Sequence, residues 1–219
     1  MNSLQAYVVD DDADVRKGLI ALLESAGYPV RVFGSAPSFL DSVMENIGTL
    51  AGCLILDVRM PEMDGMQLQR KLVERQCALP IIFLTGHGEL PEAVEAMRKG
   101  AFDFLVKPVD GRQLLERVGF AWQQETERCR LADLQLDIRE RLNRLSARER
   151  QVLAFALNGL HNQSIATTLG LSQRTVEAHR SRLLLKLDAA SVQNWLRHCE
   201  QAGLPSARLI ELLGRQMKP

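Results

Sequence analysis

The 219-residue sequence contains no apolar run close to the roughly 20 residues a helix needs to cross a bilayer, so a helical membrane protein is excluded. Cysteine is scarce: Cys53, Cys77, Cys129 and Cys199 are scattered, with neither metal-ligand nor disulfide-framework spacing. They are expected to be buried or incidental thiols in a reducing cytosol, which places the protein in the cytoplasm. The stretch Met1 to Asp14 has no basic segment and turns acidic at once, so no secretory signal is expected. No internal repeat or low-complexity tract appears, and aromatic residues make up only 5%. With 46% hydrophobic and 25% charged residues the composition is that of an ordinary globular protein, and disordered, collagenous and mini-protein classes fall away.

Net charge is also lacking, 27 Lys+Arg against 27 Asp+Glu, but the balance is uneven. Residues 1–121 carry a net −5, residues 122–144 are neutral, and residues 145–219 carry a net +5. An acidic half joined to a basic half predicts two domains with different partners, the basic one suited to nucleic acid.

In the first half, five short apolar runs alternate with helical patterns. Ala6–Val9, Val30–Phe33, Cys53–Leu56, Ile81–Leu84 and Phe102–Val106 read as strands, the third and fourth apolar almost throughout, as central parallel strands are. Helical stripes lie between them: Val15, Leu19, Leu22 and Leu23; Phe39, Val43 and Ile47; Met66, Leu68 and Leu72; Val94, Met97 and Arg98. This order predicts an α/β doubly wound, five-stranded parallel sheet over 1–121, with its ligand beyond the carboxyl ends of the strands.

Residues 122–144 contain neither Gly nor Pro, and Leu131, Leu134, Ile138, Leu142 and Leu145 form a narrow apolar stripe. That reads as a linker helix resting on one domain, with pairing to a second chain as the alternative. From Leu145 to Pro219 an all-α domain is expected. Ser146 with Glu149 forms a capping box before Val152, Leu153, Phe155, Ala156 and Leu157. A short helix through Ile165, Ala166 and Leu169 stops at Gly170, and Ser172 starts another carrying Val176, Leu183, Leu184 and Leu187. Two helices joined by a tight turn make a helix-turn-helix, whose second member can enter a major groove. A further helix spans Ser191 to Ala202, and a last one follows Pro205.

The strand ends of the first domain carry the chemistry. Asp10 and Asp11 follow the first strand, Asp57 ends the third, Thr85 the fourth and Lys107 the fifth. Converging carboxylates call for a hard divalent cation, and a hydroxyl and an ammonium on the same rim suit phosphoryl oxygens. A carboxylate nucleophile, a metal and a phosphate clamp are the parts of aspartyl-phosphate chemistry. Acidic residues at strand ends are commonly solvated turns when single; five polar groups on four strand rims are not explained that way.

Val8-Val9-Asp10-Asp11, Asp57-Val58-Arg59-Met60-Pro61-Glu62-Met63-Asp64-Gly65, Leu84-Thr85-Gly86-His87-Gly88 and Lys107-Pro108 resemble, in order and spacing, the signatures of two-component response-regulator receivers. The Thr85–Gly88 stretch is similar to the FixJ subfamily, and His87 reads as a loop residue. The resemblance implies that Asp57 accepts a phosphoryl group from a sensor histidine kinase. It implies Mg2+ held by Asp10, Asp11, Asp57 and the main-chain carbonyl of Arg59. It implies that Thr85 and Lys107 follow the phosphoryl oxygens, and that Phe104 is an aromatic switch as well as a core residue. Leu145–Leu153, Gly159, Ile165-Ala166 and Ser172–Arg180 resemble the NarL/LuxR type of helix-turn-helix. That resemblance places Glu177, Ala178 and Ser181 on bases and Arg174, Thr175, Arg182 and Lys186 on phosphates of double-stranded promoter DNA. His161-Asn162-Gln163 stands where Ser-Asn-Lys is common, and the stretch after Lys186-Leu187 has Asp188 in place of the usual Gly.

Together these imply a regulator that dimerises when phosphorylated, through its fourth and fifth helices, and works with RNA polymerase and no membrane. Three rivals remain at this stage. A phosphohydrolase of the haloacid-dehalogenase type would need a second Asp two residues after Asp57, where Arg59 stands, so no turnover beyond slow self-dephosphorylation is expected. An RNA-binding antiterminator would lack the Thr175-Val176-Glu177 pattern. A phosphorylation-independent DNA-binding regulator is the remaining alternative.

Overall fold

The computed structural model describes residues 4–86 and 90–215. The chain divides into two compact units, residues 1–129 and 130–219.

The first unit is built on five parallel strands, β1 Gln5–Val9, β2 Val30–Phe33, β3 Gly52–Asp57, β4 Ile81–Thr85 and β5 Asp103–Val106, in the order β2-β1-β3-β4-β5. Every residue of β3 and β4 is buried, because helices cover both faces of a doubly wound sheet. Helices α1 Ala13–Ser25, α2 Ala36–Val43, α3 Gly65–Glu74, α4 Leu90–Arg98 and α5 Gly111–Asn143 connect or follow the strands. Two cores result, one on each face of the sheet. One centres on Phe39, Leu54, Leu56, Leu68, Leu72 and Phe83, the other on Leu23, Ile55, Ile82, Leu84, Leu114 and Val118. Gly52 is indispensable at the entry to β3: its φ is +123°, and a Cβ there would lie 1.9 Å from the Gln5 carbonyl oxygen.

Two helical stripes differ from expectation. The helix carrying Phe39 and Val43 stops at Val43, and buried Ile47 belongs to a 3-10 stretch over Met44–Thr49. Among the described side chains of α4 Ala96 is buried, while Val94 and Met97 are exposed. His87 and Gly88 lie outside the described residues.

The expected domain boundaries also move. Residues 122–129 belong to the first unit: Trp122 packs edge-on against Tyr28 at 4.9 Å, and buried Glu125 pairs with Arg128, which donates to the Leu50 carbonyl at 3.3 Å. Residues 130–143 belong to the second unit, where Ile138, Leu142 and Leu145 lie in the core. No separate linker helix spans 122–144. Of the apolar stripe, Leu134, Ile138, Leu142 and Leu145 pack within the second unit, and Leu131 is half-buried.

The remaining helices of the second unit are α6 Ala147–Leu157, α7 Asn162–Leu169, α8 Gln173–Leu187, α9 Val192–Gln201 and α10 Ser206–Arg215. They close around Val152, Ile165, Val176, Leu183, Leu187 and Trp195. The capping box of Ser146 and Glu149 is present, and Ser172 and Ser191 cap α8 and α9. Gly170 ends α7 in the left-handed conformation. Asp188 takes the same conformation after α8, φ 52° and ψ 52°, so the missing glycine leaves the turn intact. Leu209 and Leu213 of α10 are fully buried, which gives the segment after Pro205 a packing role.

Candidate functional site

The strand order reverses between β1 and β3, and the sites of doubly wound sheets open at that point beyond the carboxyl ends. Asp10 and Asp11 leave β1 there and Asp57 ends β3 beside them. One carboxylate oxygen from each of the three lies within 4.8 Å of the others, with Asp10 and Asp57 buried and Asp11 exposed. Three hard oxygen donors with one face open to solvent fit a divalent cation that keeps part of its water, such as Mg2+. Arg59 sits exposed on the loop two residues beyond Asp57.

Lys107 ties this acidic group together. Its Nζ lies 2.8 Å from Asp10 Oδ2 and 2.7 Å from Asp57 Oδ1. The Lys107 backbone N–H donates to the Thr85 carbonyl at 2.7 Å, which fixes the fifth strand end against the fourth. Thr85 is buried at the end of β4. Phe104 is half-buried on β5, packed against the core that includes Phe83. Burial pushes the Asp57 carboxyl above its ordinary range; the Lys107 ammonium opposes that, and Asp10 and Asp11 reinforce it. Burial works against the charged form of Lys107 too, but hydrogen bonds from it to Asp10 and Asp57 prevail, and its pKa is raised.

The loops that hold the pocket are stiffened locally. Asp12 caps α1 by accepting from the N–H groups of Asp14 and Val15 at 2.8 and 3.2 Å, and these bonds hold its carboxyl below the usual range. Asp64 and Gln67 form a capping box on α3. Gly65 passes so close to the end of β3 that a Cβ would lie 2.3 Å from the Asp57 carbonyl oxygen. One contributor was missed in the sequence: Arg16 of α1 donates from Nη1 to the Asp10 carbonyl at 2.6 Å. Its only sequence signal is a cation on the first turn and a half of a helix whose start is acidic.

In the second unit, α7 and α8 form the helix-turn-helix, joined by a hydrogen bond from Arg180 to Asn162. Arg174, Glu177, Ala178, Ser181 and Arg182 are all exposed on α8, and Thr175 is half-buried, bonded to the Ser172 cap. Gln173 donates to Glu177 at 3.0 Å, and the Ser181 hydroxyl to the Glu177 carbonyl at 3.1 Å. Lys186 is exposed near the end of α8, and its Nζ lies 2.7 Å from Oε2 of Glu149, a buried carboxylate that caps α6. Burial would raise the Glu149 carboxyl, but the bonds from Lys186 and Ser146 override it and hold it low.

Comparison with known proteins agrees with both halves. Residues 6–119 match the response regulator receiver domain, and residues 143–198 the luxR family of bacterial regulatory proteins. The chain is 42% identical over 205 residues to the transcriptional regulatory protein FixJ of Azorhizobium caulinodans, covering 94% of this chain and 96% of that protein. It is 42% identical over 196 residues to the response regulator protein TmoT of Ectopseudomonas mendocina, covering 89% and 87%. Among solved structures, the response regulator StyR matches with a TM-score of 0.82 at 38% identity, over 91% of this chain and all of that one. Full-length FixJ from B. japonicum matches with a TM-score of 0.56 at 39% identity, over 93% and 98%. The chain therefore belongs to the two-component response regulators of the FixJ subfamily, with a receiver domain followed by a LuxR-type DNA-binding domain.

Proposed function

We propose that this regulator controls transcription from the cytoplasm in response to phosphorylation of Asp57 by a sensor histidine kinase. The observation that carries the reading is the Lys107 ammonium bridging Asp10 and Asp57 inside a pocket of three converging carboxylates. An Asp57 oxygen attacks the phosphorus of a phosphohistidine as the P–N bond breaks and the leaving imidazole is protonated. Asp10, Asp11, Asp57 and the Arg59 carbonyl would hold Mg2+, which when bound would supply charge neutralisation to the transferring group. Lys107 exchanges its Asp57 contact for a phosphoryl oxygen, and the Thr85 hydroxyl donates to another. With Arg59 where a hydrolase would carry an acid, turnover stops at slow self-dephosphorylation.

The new phosphoryl group brings about −1.5 to −2 charges. Thr85 and Phe104 follow it inward, biasing a pre-existing equilibrium of the receiver surface. Val94 and Met97 on α4, Val106 on β5 and Phe120 on α5 are exposed apolar groups, which supports dimerisation through these elements. The dimer presents two copies of α8 to promoter half-sites about one helical turn apart, and RNA polymerase is the further partner.

The test compares wild type with Asp57→Asn by mass and by binding to target-promoter DNA at fixed salt, with and without Mg2+ and acetyl phosphate. A wild-type monomer that becomes a tighter-binding dimer only with donor, and an unresponsive variant, are the expected results. Donor-indifferent binding by wild type would transfer the reading to phosphorylation-independent regulation.

A further inference from the structure

The most exposed large apolar side chain among the described residues is Leu185, 81% accessible, on α8. Single exposed leucines are ordinary on protein surfaces. Its neighbours and its direction make this one different. The core contribution of the Leu183-Leu184-Leu185 run comes from Leu183, fully buried, and Leu184, half-buried, so folding makes no demand on position 185. In a helix of 3.6 residues per turn, Arg174, Ala178, Ser181, Arg182 and Leu185 fall on one stripe, and all five are exposed. Leu185 is thus the carboxyl-terminal end of the surface that α8 offers to DNA. It stands seven residues beyond Ala178, about 10.5 Å along the axis, or about three base-pair steps.

The last turn of α8 carries one cation, Lys186. Here Lys186 is engaged by Glu149, and the side chain left on the DNA-facing stripe is apolar. An apolar side chain has no use for a phosphate. In the major groove its partner is the C5-methyl of thymine, the one apolar group on a base edge.

We propose that Leu185 is a specificity-determining residue that packs against a thymine methyl at one position of each half-site. The inference rests on α8 being the helix that enters the groove. It adds an apolar base contact beyond Glu177, Ala178 and Ser181.

The experiment selects preferred duplexes from a randomised library with the full-length protein, in Mg2+ and acetyl phosphate at fixed salt, for wild type, Leu185→Ala and Leu185→Lys. Wild type should show a thymine position that Leu185→Ala does not. Replacing that thymine with deoxyuridine, which removes only the methyl, should weaken wild-type binding about fourfold per half-site, the worth of one buried methyl, and leave Leu185→Ala unchanged. Leu185→Lys should bind all sequences more tightly, with a salt slope steeper by about 0.9 per half-site, and lose the thymine preference. Identical selected sequences for wild type and Leu185→Ala, or indifference of wild type to deoxyuridine, would overturn the proposal. A wild-type protein that binds DNA with no preferred sequence would overturn the groove-reading role of α8 itself, and this inference with it.

Discussion

Lys107 lies within 2.8 Å of two carboxylates at once, and that geometry has a consequence for Asp57. Burial and the neighbouring Asp10 and Asp11 push the Asp57 carboxyl up, and the ammonium is what restrains it. Lys107→Met should therefore make Asp57 protonate at a still higher pH in metal-free protein, readable from its side-chain carboxyl carbon by NMR; an unchanged or lower value would refute the assignment of roles. The converse sign holds for Lys107. Its pKa is raised above 10.5, so the stability its pairs contribute is present below that pH and is lost as the pH climbs through the higher folded value. Cys53 and Cys199 have their thiols pushed up to about 12, chiefly by burial, in line with the expectation of buried thiols.

The turn that follows α8 shows how a helix can end without the usual residue. Asp188 occupies the left-handed cap position, its N–H accepted by the Leu184 and Leu185 carbonyls. Arg141 of α5 supports the same turn, donating to the Leu187 carbonyl at 2.8 Å and lying 3.5 Å from the exposed Asp188 carboxylate. An L-residue in this conformation carries strain that glycine does not, although aspartate tolerates it better than most. Asp188→Gly should raise the stability of the second unit by about 0.5 kcal/mol, the relief of strain exceeding the loss of a solvent-screened ion pair. Thermal or urea unfolding would show it, and a destabilised variant would mean that the Arg141 contact dominates. Element order was legible for a related reason: caps such as Ser146 with Glu149, Ser172 and Gly170 are local, so their signals sit in adjacent residues.

Each of the two units has its own core, and the boundary between them falls inside one helix. α5 carries buried Ala121 and Glu125 into the first unit and buried Ile138 and Leu142 into the second. A fragment of residues 130–219 should therefore fold cooperatively. One that starts at residue 145 lacks two core side chains, each worth about 2–5 kcal/mol on the scale of truncation to alanine, and should melt far lower or fail to fold. Circular dichroism melts of the two fragments make the comparison; equal stability would mean that the helix is dispensable after all.

Period, caps and motif spacing determined which segments became strands and helices, the doubly wound class, and the meeting of Asp10, Asp11, Asp57, Thr85 and Lys107 at the strand ends. These follow from local pattern, and residues at strand ends are brought together by any parallel sheet of this order. Where α5 is divided, which way Val94 and Met97 point, and what Lys186 touches were decided only by the tertiary structure. A stripe of leucines records that a face must be covered and leaves open by what, and a lysine reaches either solvent or a buried carboxylate. Glu149 settled that choice from 37 residues away, through a contact that exists only once α6 and α8 have packed.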